Sequence, residues 1–270
     1  MEISAYAFSS QGCRENNEDA FGYSNADLVW VVADGLGGHV GGEAASQAAV
    51  SYVMQSAKNS GRLSGNEIVS VIIGANERLA ADQQANPMLY GMRTTIAAAF
   101  ASDNKMRYIH VGDSRFYYFR NKKLYTQTQD HSVSQMAVQM GEINADQIRF
   151  HEDRNKLLKV LGSFDKLRIR SIDGEIAMEN GDAFLLCTDG FWELILENEM
   201  ETDLLDAASP QEWLEAMVAR VTQRLAENSD NFTAICGFVS MPPAPVSKPT
   251  KKWTDRFRGL FTRPAATDKV

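Results

Sequence analysis

Residues 28–35 of the chain read LVWVVADG, an apolar run of six residues that ends in an aspartate and a glycine. An apolar run of this length bounded by turn residues is typical of a buried β-strand. The same arrangement recurs in residues 106–115, where MRYIHV is followed by GDSR, and in residues 183–190, which read AFLLCTDG. In residues 230–239 the order is reversed, because Asp230 precedes the apolar run FTAICGFV. The sequence therefore predicts buried strands that each carry an aspartate at one end.

These strand ends place carboxylates where they can converge. Each aspartate alone could belong to an ordinary turn, but independent turns need not all put Asp at the mouth of a buried strand. Converging carboxylates repel one another unless a cation lies between them. The recurrence therefore indicates a hydrolytic site with more than one metal ion, formed by Asp34, Asp113, Asp189 and Asp230.

Composition narrows the class of protein. The chain has 270 residues, 44% of them hydrophobic, enough for a sizeable core in one large domain or two small ones. The net charge of −8 is unevenly distributed: residues 1–240 contain 20 basic and 33 acidic residues, whereas residues 241–270 contain seven basic and two acidic. An acidic body argues against nucleic acid as the main partner, since phosphate backbones require a basic footprint.

Cysteine content and apolar run lengths favour a cytoplasmic protein. The three cysteines, Cys13, Cys187 and Cys236, have no paired spacing, which favours a reducing compartment. The first residues show no basic segment followed by an apolar stretch, so we expect no signal peptide. No apolar run approaches the length of a transmembrane helix.

Hydrophobic periodicity predicts an α+β fold with antiparallel sheets, because strand–hairpin–strand blocks alternate with blocks of helix. The best helix start is Ser209-Pro210, followed by a capping-box Glu212. Residues 131–150 are expected to be a poorly patterned helical excursion near the site. Helices are predicted around residues 44–53, 68–79 and 213–225. Strands are predicted at 3–8, 28–33, 94–101, 105–111, 115–120, 167–172, 183–188 and 232–239, with hairpin turns at 103–104 and 121–123.

The character of the chain changes after residue 240. Residues 241–250 contain four prolines and are expected to be a stiff linker. In residues 251–270, Trp253, Phe257, Leu260 and Phe261 fall on one helical face surrounded by basic residues. This pattern suits docking to an anionic membrane surface or to a groove on a partner. A disordered solubilising tail is an equally good interpretation, since a single short helix is marginally stable.

Two polar loops are candidates for chemistry. Residues 34–42, DGLGGHVGG, contain five glycines, whose ordering is costly in entropy, so close approach of the backbone to a ligand is favoured over a flexible connection. Residues 14–19, RENNED, would alone be typical of solvated surface.

The ordered motifs of residues 1–240 resemble those of the metal-dependent Ser/Thr protein phosphatases of type 2C (the PPM family), especially bacterial members built as a stand-alone domain. Any one motif is weak, but the complete set in order is highly specific. The resemblance implies a catalytic domain over residues 1–240 with a four-layer α-β-β-α sandwich of two antiparallel sheets flanked by helices. The motifs are R-x-x-N-E-D (14–19), D-G-x-G-G-H (34–39), T-T (94–95), G-D-S-R (112–115), T-x-D-H-S (128–132), R-N-x-L-x-x-x-L-G (154–162), G-D-x-x-L-L-C-x-D-G-x-W-E (181–193) and D-N-x-T (230–233).

The resemblance also implies a ligand set for two Mn²⁺ or Mg²⁺ ions. Asp34 would bridge the ions, and Asp189 and Asp230 would complete the protein ligands of one of them. Glu18 and the Gly35 carbonyl would hold the other. Asp113, together with Asp189, would hold a weaker third ion.

By the same resemblance, a water bridging two ions would attack the phosphorus of phosphoserine or phosphothreonine in line. Arg14 would bind the phosphate through its planar guanidinium, and Asp19 would steady metal-bound water. The implied partners are phosphorylated proteins, including a cognate bacterial Ser/Thr kinase whose action the enzyme reverses. Apart from the resemblance, we expect a monomer in the cytoplasm, which docking of the tail would bring to the inner membrane surface. The alternative is a regulatory or scaffold module dedicated to one signalling partner.

Two positions depart from the family pattern. Leu36 stands where some relatives have a histidine proposed to protonate the leaving group, so metal-bound water would have to substitute. Arg93 stands where the strand motif usually has glycine, and it could contact substrate, contact a neighbour or face solvent. His39 and His131 are expected to be hydrogen-bonding residues and not metal ligands.

Overall fold

The computed structural model describes residues 1–37, 41–163 and 167–242. The Pro-rich linker beyond residue 242, the tail 251–270 and His39 lie outside the described residues. Between residues 1 and 242 the elements follow one another in this order: β1 (Glu2–Ser10), β2 (Asp19–Ser24), β3 (Val29–Leu36), α1 (Gly41–Ser60), α2 (Gly65–Ala85), a 3₁₀ turn (Pro87–Leu89), β4 (Arg93–Thr94), β5 (Ile96–Ser102), β6 (Lys105–Val111), β7 (Arg115–Arg120), β8 (Lys123–Gln127), α3 (Val133–Met140), a 3₁₀ helix (Ala145–Phe150), β9 (Gly174–Ala177), β10 (Ala183–Cys187), α4 (Asp189–Trp192), α5 (Glu197–Asp206), α6 (Pro210–Gln223) and β11 (Phe232–Ser240).

Two antiparallel sheets form the centre of the molecule. One has the strand order β1-β11-β10-β7-β8, and the other has the order β2-β3-β5-β6-β9 with the short β4 paired to β3. Apolar side chains from the two sheets share one core between them, in which the rings of Trp30 and Phe184 lie 4.9 Å apart. The predicted antiparallel α+β fold is confirmed.

Helices cover both outer faces and complete the four layers. The apolar faces of α1 and α2 pack on the sheet that contains β3, and α4, α5 and α6 pack on the sheet that contains β10. Both predicted hairpin turns form, with φ of 53° and 59° at Asp103 and Asn104 and of 51° and 63° at Asn121 and Lys122, as tight two-residue turns require. The second turn is one residue shorter than predicted, because Lys123 already belongs to β8. The described residues include no helix long and apolar enough to cross a bilayer.

Some local predictions are wrong. Residues 167–172 form no strand, because Leu167, Ile169 and Ile172 pack against the helix-side core without a ladder partner. The capping box of α6 is incomplete: the Ser209 side chain accepts from the Glu212 N–H, but Glu212 accepts from the N–H of Ala208 and not from the N-cap residue.

Candidate functional site

The predicted aspartates meet at one open cavity of about 530 Å³ at the edge of both sheets. Asp34 lies near the end of β3, and Asp113 lies in the turn that passes from β6 in one sheet to β7 in the other. Asp189 begins α4 directly after β10, and Asp230 precedes β11. The cavity is lined by these four aspartates together with Cys13, Arg14, Glu15, Asn16, Glu18, Gly35, Leu36, Gly37, Asn155, Leu157, Glu227, Asn228 and Asn231.

The raised pKa values of the buried carboxylates indicate that a positive charge would stabilise the cavity. Burial, with the carboxylates of Asp189, Asp19 and Asp113 close by, holds the pKa of Asp34 well above its usual value. Burial and Asp113 raise the pKa of Asp189 in the same direction. Burial, with Asp130 nearby, raises the pKa of Asp113 to about 7. A divalent cation placed among these groups would stabilise their charged forms against both the burial and the mutual repulsion that raise their pKa values.

Unpartnered oxygens mark the same place. Within the described residues, Oδ1 of Asp19, of Asp113 and of Asp189 are buried and have no hydrogen-bond partner. Buried polar atoms without partners are rare in native proteins, so these oxygens fit hard-cation ligands. No group of three or more His, Cys, Asp or Glu side chains in residues 1–37, 41–163 and 167–242 is already arranged around a single ion position. Hard divalent cations such as Mg²⁺ usually keep several waters and need few protein oxygens.

Glu18 and Gly35 are held together by the backbone. The Gly35 N–H donates to the Glu18 carbonyl at 3.1 Å, and the Ser46 hydroxyl donates to the same carbonyl at 2.6 Å. A Cβ on Gly35 would overlap the backbone of Gly42, and a Cβ on Gly42 would overlap the Glu18 carboxylate. The glycines at these two positions therefore allow segments of the protein itself to approach closely, whereas the close approach to a ligand that the pattern of residues 34–42 predicts stays a prediction.

Asp19 takes a different place from the other acidic residues. It pairs with Asp34 across β2 and β3, yet it does not line the cavity and is almost fully buried. The Thr188 hydroxyl donates to Asp19 Oδ2 at 2.9 Å. Burial raises the pKa of Asp19 to about 7. Asp19 is thus positioned behind the lining carboxylates.

Arg14 is the only residue with a cationic side chain among the described residues that line the cavity. Its Nη2 donates to Asp230 Oδ2 at 2.9 Å, and about half of the side chain remains exposed. The guanidinium therefore faces the open side of the cavity with donors to spare.

Trp192, Arg115 and Asp130 form a cluster of contacts behind Asp113 that the sequence does not predict. The indole N–H of Trp192 donates to the Asp113 carbonyl at 2.9 Å. The Arg115 guanidinium lies 3.4 Å from the centre of the Trp192 ring and forms a two-pronged ion pair with Asp130, with N–O distances of 2.8 and 2.7 Å. The G-D-S-R and T-x-D-H-S motifs contain Arg115 and Asp130, but nothing in the sequence pairs them.

Arg149 connects the segment between β8 and β9 to Trp192 of this cluster. Its Nε donates to the Trp192 carbonyl at 3.1 Å, and its Nη2 contacts the Ile195 carbonyl and Glu197. The position of the 3₁₀ helix Ala145–Phe150 is thereby fixed relative to α4.

His131 lies outside the cavity and accepts a hydrogen bond from the Gly112 N–H at 3.3 Å through Nδ1. Its ring stacks on His110 with centroids 4.4 Å apart. Burial and the neighbouring His110 lower the pKa of His131 to about 3, so the ring is neutral at physiological pH. The hydrogen-bonding role expected for His131 agrees with these contacts.

The two residues that depart from the family pattern are partners in the sheet. Leu36, which lines the cavity, pairs directly with Arg93 across β3 and β4. Arg93 is exposed, and its side chain has no hydrogen bond or ion pair to any other described residue.

Comparisons with known proteins place the chain among phosphatases. The model of the family described as Protein phosphatase 2C matches residues 11–233. The serine/threonine phosphatase stp of Listeria welshimeri is 30% identical over 230 residues, which cover 82% of this chain and 90% of that protein. The crystal structure of the serine/threonine phosphatase PstP/Ppp of Mycobacterium tuberculosis has a TM-score of 0.79 and 26% identity, covering 89% of this chain and all of that one. The PstP catalytic domain in complex with two manganese ions has a TM-score of 0.77 at 24% identity, covering 89% of this chain and 99% of that one, a likeness of fold.

Proposed function

Because the chain belongs to the protein phosphatase 2C family, a family of metal-dependent enzymes, it is a protein-serine/threonine phosphatase, and we propose that the cavity of aspartates beside Arg14 is its catalytic centre. The observation that carries this proposal is the set of buried carboxylates with raised pKa values and unpartnered oxygens around one cavity. The reaction is hydrolysis of the phosphate ester of phosphoserine or phosphothreonine on proteins.

The residues divide into two proposed ligand groups. Asp34, Asp189 and Asp230 would hold one ion, and Asp34, Glu18 and the Gly35 carbonyl would hold the second. Asp113 with Asp189 would hold a weaker third. When bound, Mn²⁺ or Mg²⁺ supplies Lewis acidity and lowers the pKa of water at neutral pH.

Arg14 and Asp19 act from opposite sides of the ligand groups. The Arg14 guanidinium, held by Asp230, presents its remaining N–H groups to two oxygens of the phosphate and fixes the orientation of the ester for in-line attack. Asp19 acts from behind: the Thr188 hydroxyl fixes one of its oxygens, and the unpartnered Oδ1 is left to accept a hydrogen bond that would steady metal-bound water near Asp34. Leu36 offers no proton to the leaving group, so a water held at the metal site would have to supply that proton.

The proposed cellular role is reversal of a bacterial Ser/Thr kinase in the cytoplasm. The alternative, a regulatory or scaffold module, is not favoured, because such relatives usually lose their metal-site carboxylates and this chain retains every one. For the tail, we propose docking to an anionic membrane surface through Trp253, Phe257, Leu260 and Phe261. Co-sedimentation of the full chain with anionic liposomes, compared with a chain ending at Ser240, tests the tail; equal partitioning would rule out membrane docking.

The catalytic proposal is tested by hydrolysis of a phosphothreonine peptide with Mn²⁺ and after chelation. Asp34→Asn and Asp189→Asn should reduce turnover to background, because each removes a charge from the ligand groups. Asp103→Asn, at an exposed hairpin turn, is the matched control and should hydrolyse the peptide like the unmodified protein. Turnover that survives chelation, or survives both site substitutions, would refute the assignment.

A further inference from the structure

The pairing of Leu36 with Arg93 brings a cation to the mouth of the catalytic cavity. Residues directly opposite in an antiparallel pair project from the same face of the sheet. Leu36 lines the cavity, and Arg93, which is not among the lining residues, projects from the same face of the sheet next to Leu36. The side chain is long enough to reach over Leu36 toward the opening.

The backbone of Arg93 is fixed relative to the aspartates. The hydroxyl of the next residue, Thr94, donates to the Asp34 carbonyl at 2.7 Å, and Thr94 and Leu161 exchange two backbone hydrogen bonds of 3.1 and 2.8 Å. Thr94 is fully buried. Arg93 is therefore an exposed cation whose backbone is held in place. Less backbone entropy is lost when such a residue binds a ligand.

The charges around the cavity leave Arg93 available. Arg14 is already paired with Asp230, whereas the Arg93 side chain has no partner among the described residues. The wall on the side of β1 and β11 carries the exposed carboxylates Glu15 and Glu227. The mouth of the cavity is therefore acidic on one wall and basic on the β3–β4 side.

We propose that Arg93 is a specificity-determining residue that binds an anionic group of the substrate near the phosphorylated residue; this rests on the proposed function. Leu36 lies two positions along β3 from Asp34, about 7 Å, and the cross-strand step adds about 5 Å at a right angle, so the Arg93 Cα lies about 9 Å from that of Asp34. An extended peptide advances about 3.4 Å per residue. The bound group lies two or three residues from the phosphothreonine and is a carboxylate or a second phosphate.

The test compares phosphothreonine peptides that differ only at the second and third residues from the phosphothreonine on either side: neutral, glutamate or phosphoserine. The quantity is the ratio of kcat/KM for each anionic peptide to that for the neutral one, in the full chain with Mn²⁺. An exposed ion pair is worth about a two- to fivefold preference. Arg93→Gln should abolish that preference, Arg93→Glu should reverse it, and added salt should weaken it. Arg62→Gln, at another exposed arginine in the α1–α2 connection, is the control and should keep the preference.

The outcomes separate this inference from the proposed function. A preference shared by glutamate and phosphoserine peptides assigns the subsite to anions in general, and one confined to phosphoserine assigns it to phosphate. An unmodified protein that hydrolyses all peptides equally, or an Arg93→Gln variant that keeps the preference, overturns the role of Arg93 while leaving the phosphatase assignment intact. Absence of Mn²⁺-dependent hydrolysis of every peptide and of p-nitrophenyl phosphate would overturn the proposed function itself.

Discussion

Replacing Arg115 by methionine should destabilise the protein severely. The Arg115 side chain is 4% exposed and the Asp130 side chain 1% exposed, and their two hydrogen bonds are 2.8 and 2.7 Å long. Breaking such a pair leaves an uncompensated buried carboxylate, which costs about 3–5 kcal/mol. Loss of the cation over the Trp192 ring adds up to about 2 kcal/mol. A loss of about 4 kcal/mol corresponds to a melting temperature lower by about 8–16 °C.

The double substitution Arg115→Met with Asp130→Leu distinguishes the free-energy cost of leaving a buried charge unpaired from the cost of losing side-chain contacts. With both charges removed, no unpaired carboxylate remains, so apolar side chains should recover about 2–4 kcal/mol of the loss. The stacking on Trp192 stays lost in both variants. The double variant should therefore be more stable than Arg115→Met alone.

Urea unfolding of the chelated protein, followed by circular dichroism, measures these differences. The matched control is Arg62→Met, which breaks an ion pair with Asp103 at 74% and 66% side-chain exposure and should cost less than about 1 kcal/mol. A double variant as unstable as the sum of the two single variants would refute the reasoning. So would an Arg115→Met variant that unfolds at the same urea concentration as the control.

Three further results are expected. In the metal-free protein the pKa of Asp19 and of Asp113 is raised from 3.8 to about 7, so the folded state holds protons that the unfolded state releases, and the melting temperature should fall as pH rises from 5 to 8. Saturating Mn²⁺ should remove this slope, and a flat or rising profile after chelation would contradict the assignment. Trp192→Phe should lower the free energy of unfolding by about 1–3 kcal/mol, because the Asp113 carbonyl loses its buried donor; an unchanged urea midpoint would count against this. Gly42→Ala should weaken Mn²⁺ binding about 10- to 100-fold in calorimetry by displacing the Glu18 carboxylate, and unchanged affinity would show that the carboxylate can move aside.

Sequence reasoning succeeds where one local pattern is enough. The apolar runs before Asp34 and Asp189 predict buried strands, and both aspartates lie at the cavity. The β2 strand was not predicted, because Gly22 interrupts its pattern. In the fold this glycine makes room for Met54 of α1, since a Cβ there would lie 2.8 Å from the Met54 Cγ.

Contacts between distant segments were beyond the reach of the sequence. Arg149 and Trp192 are 43 positions apart, and nothing in either neighbourhood indicates that one anchors the other. The pairing of Leu36 with Arg93 has the same character: both departures from the family pattern are visible in the sequence, but only the register of β3 and β4 makes them neighbours.

The acidic residues of the proposed catalytic centre are divided between the two sheets, so the proposed site connects one sheet to the other. Glu18 and Asp34 belong to the β2–β3 side, Asp189 and Asp230 belong to the β10–β11 side, and the Thr188–Asp19 hydrogen bond crosses between them. Metal ions bound by carboxylates from both sheets would connect the two sheets. The free energy of metal binding would therefore also oppose movement of one sheet relative to the other. A substitution deep in the inter-sheet core, far from the cavity, would then weaken metal affinity by changing the position of one sheet relative to the other.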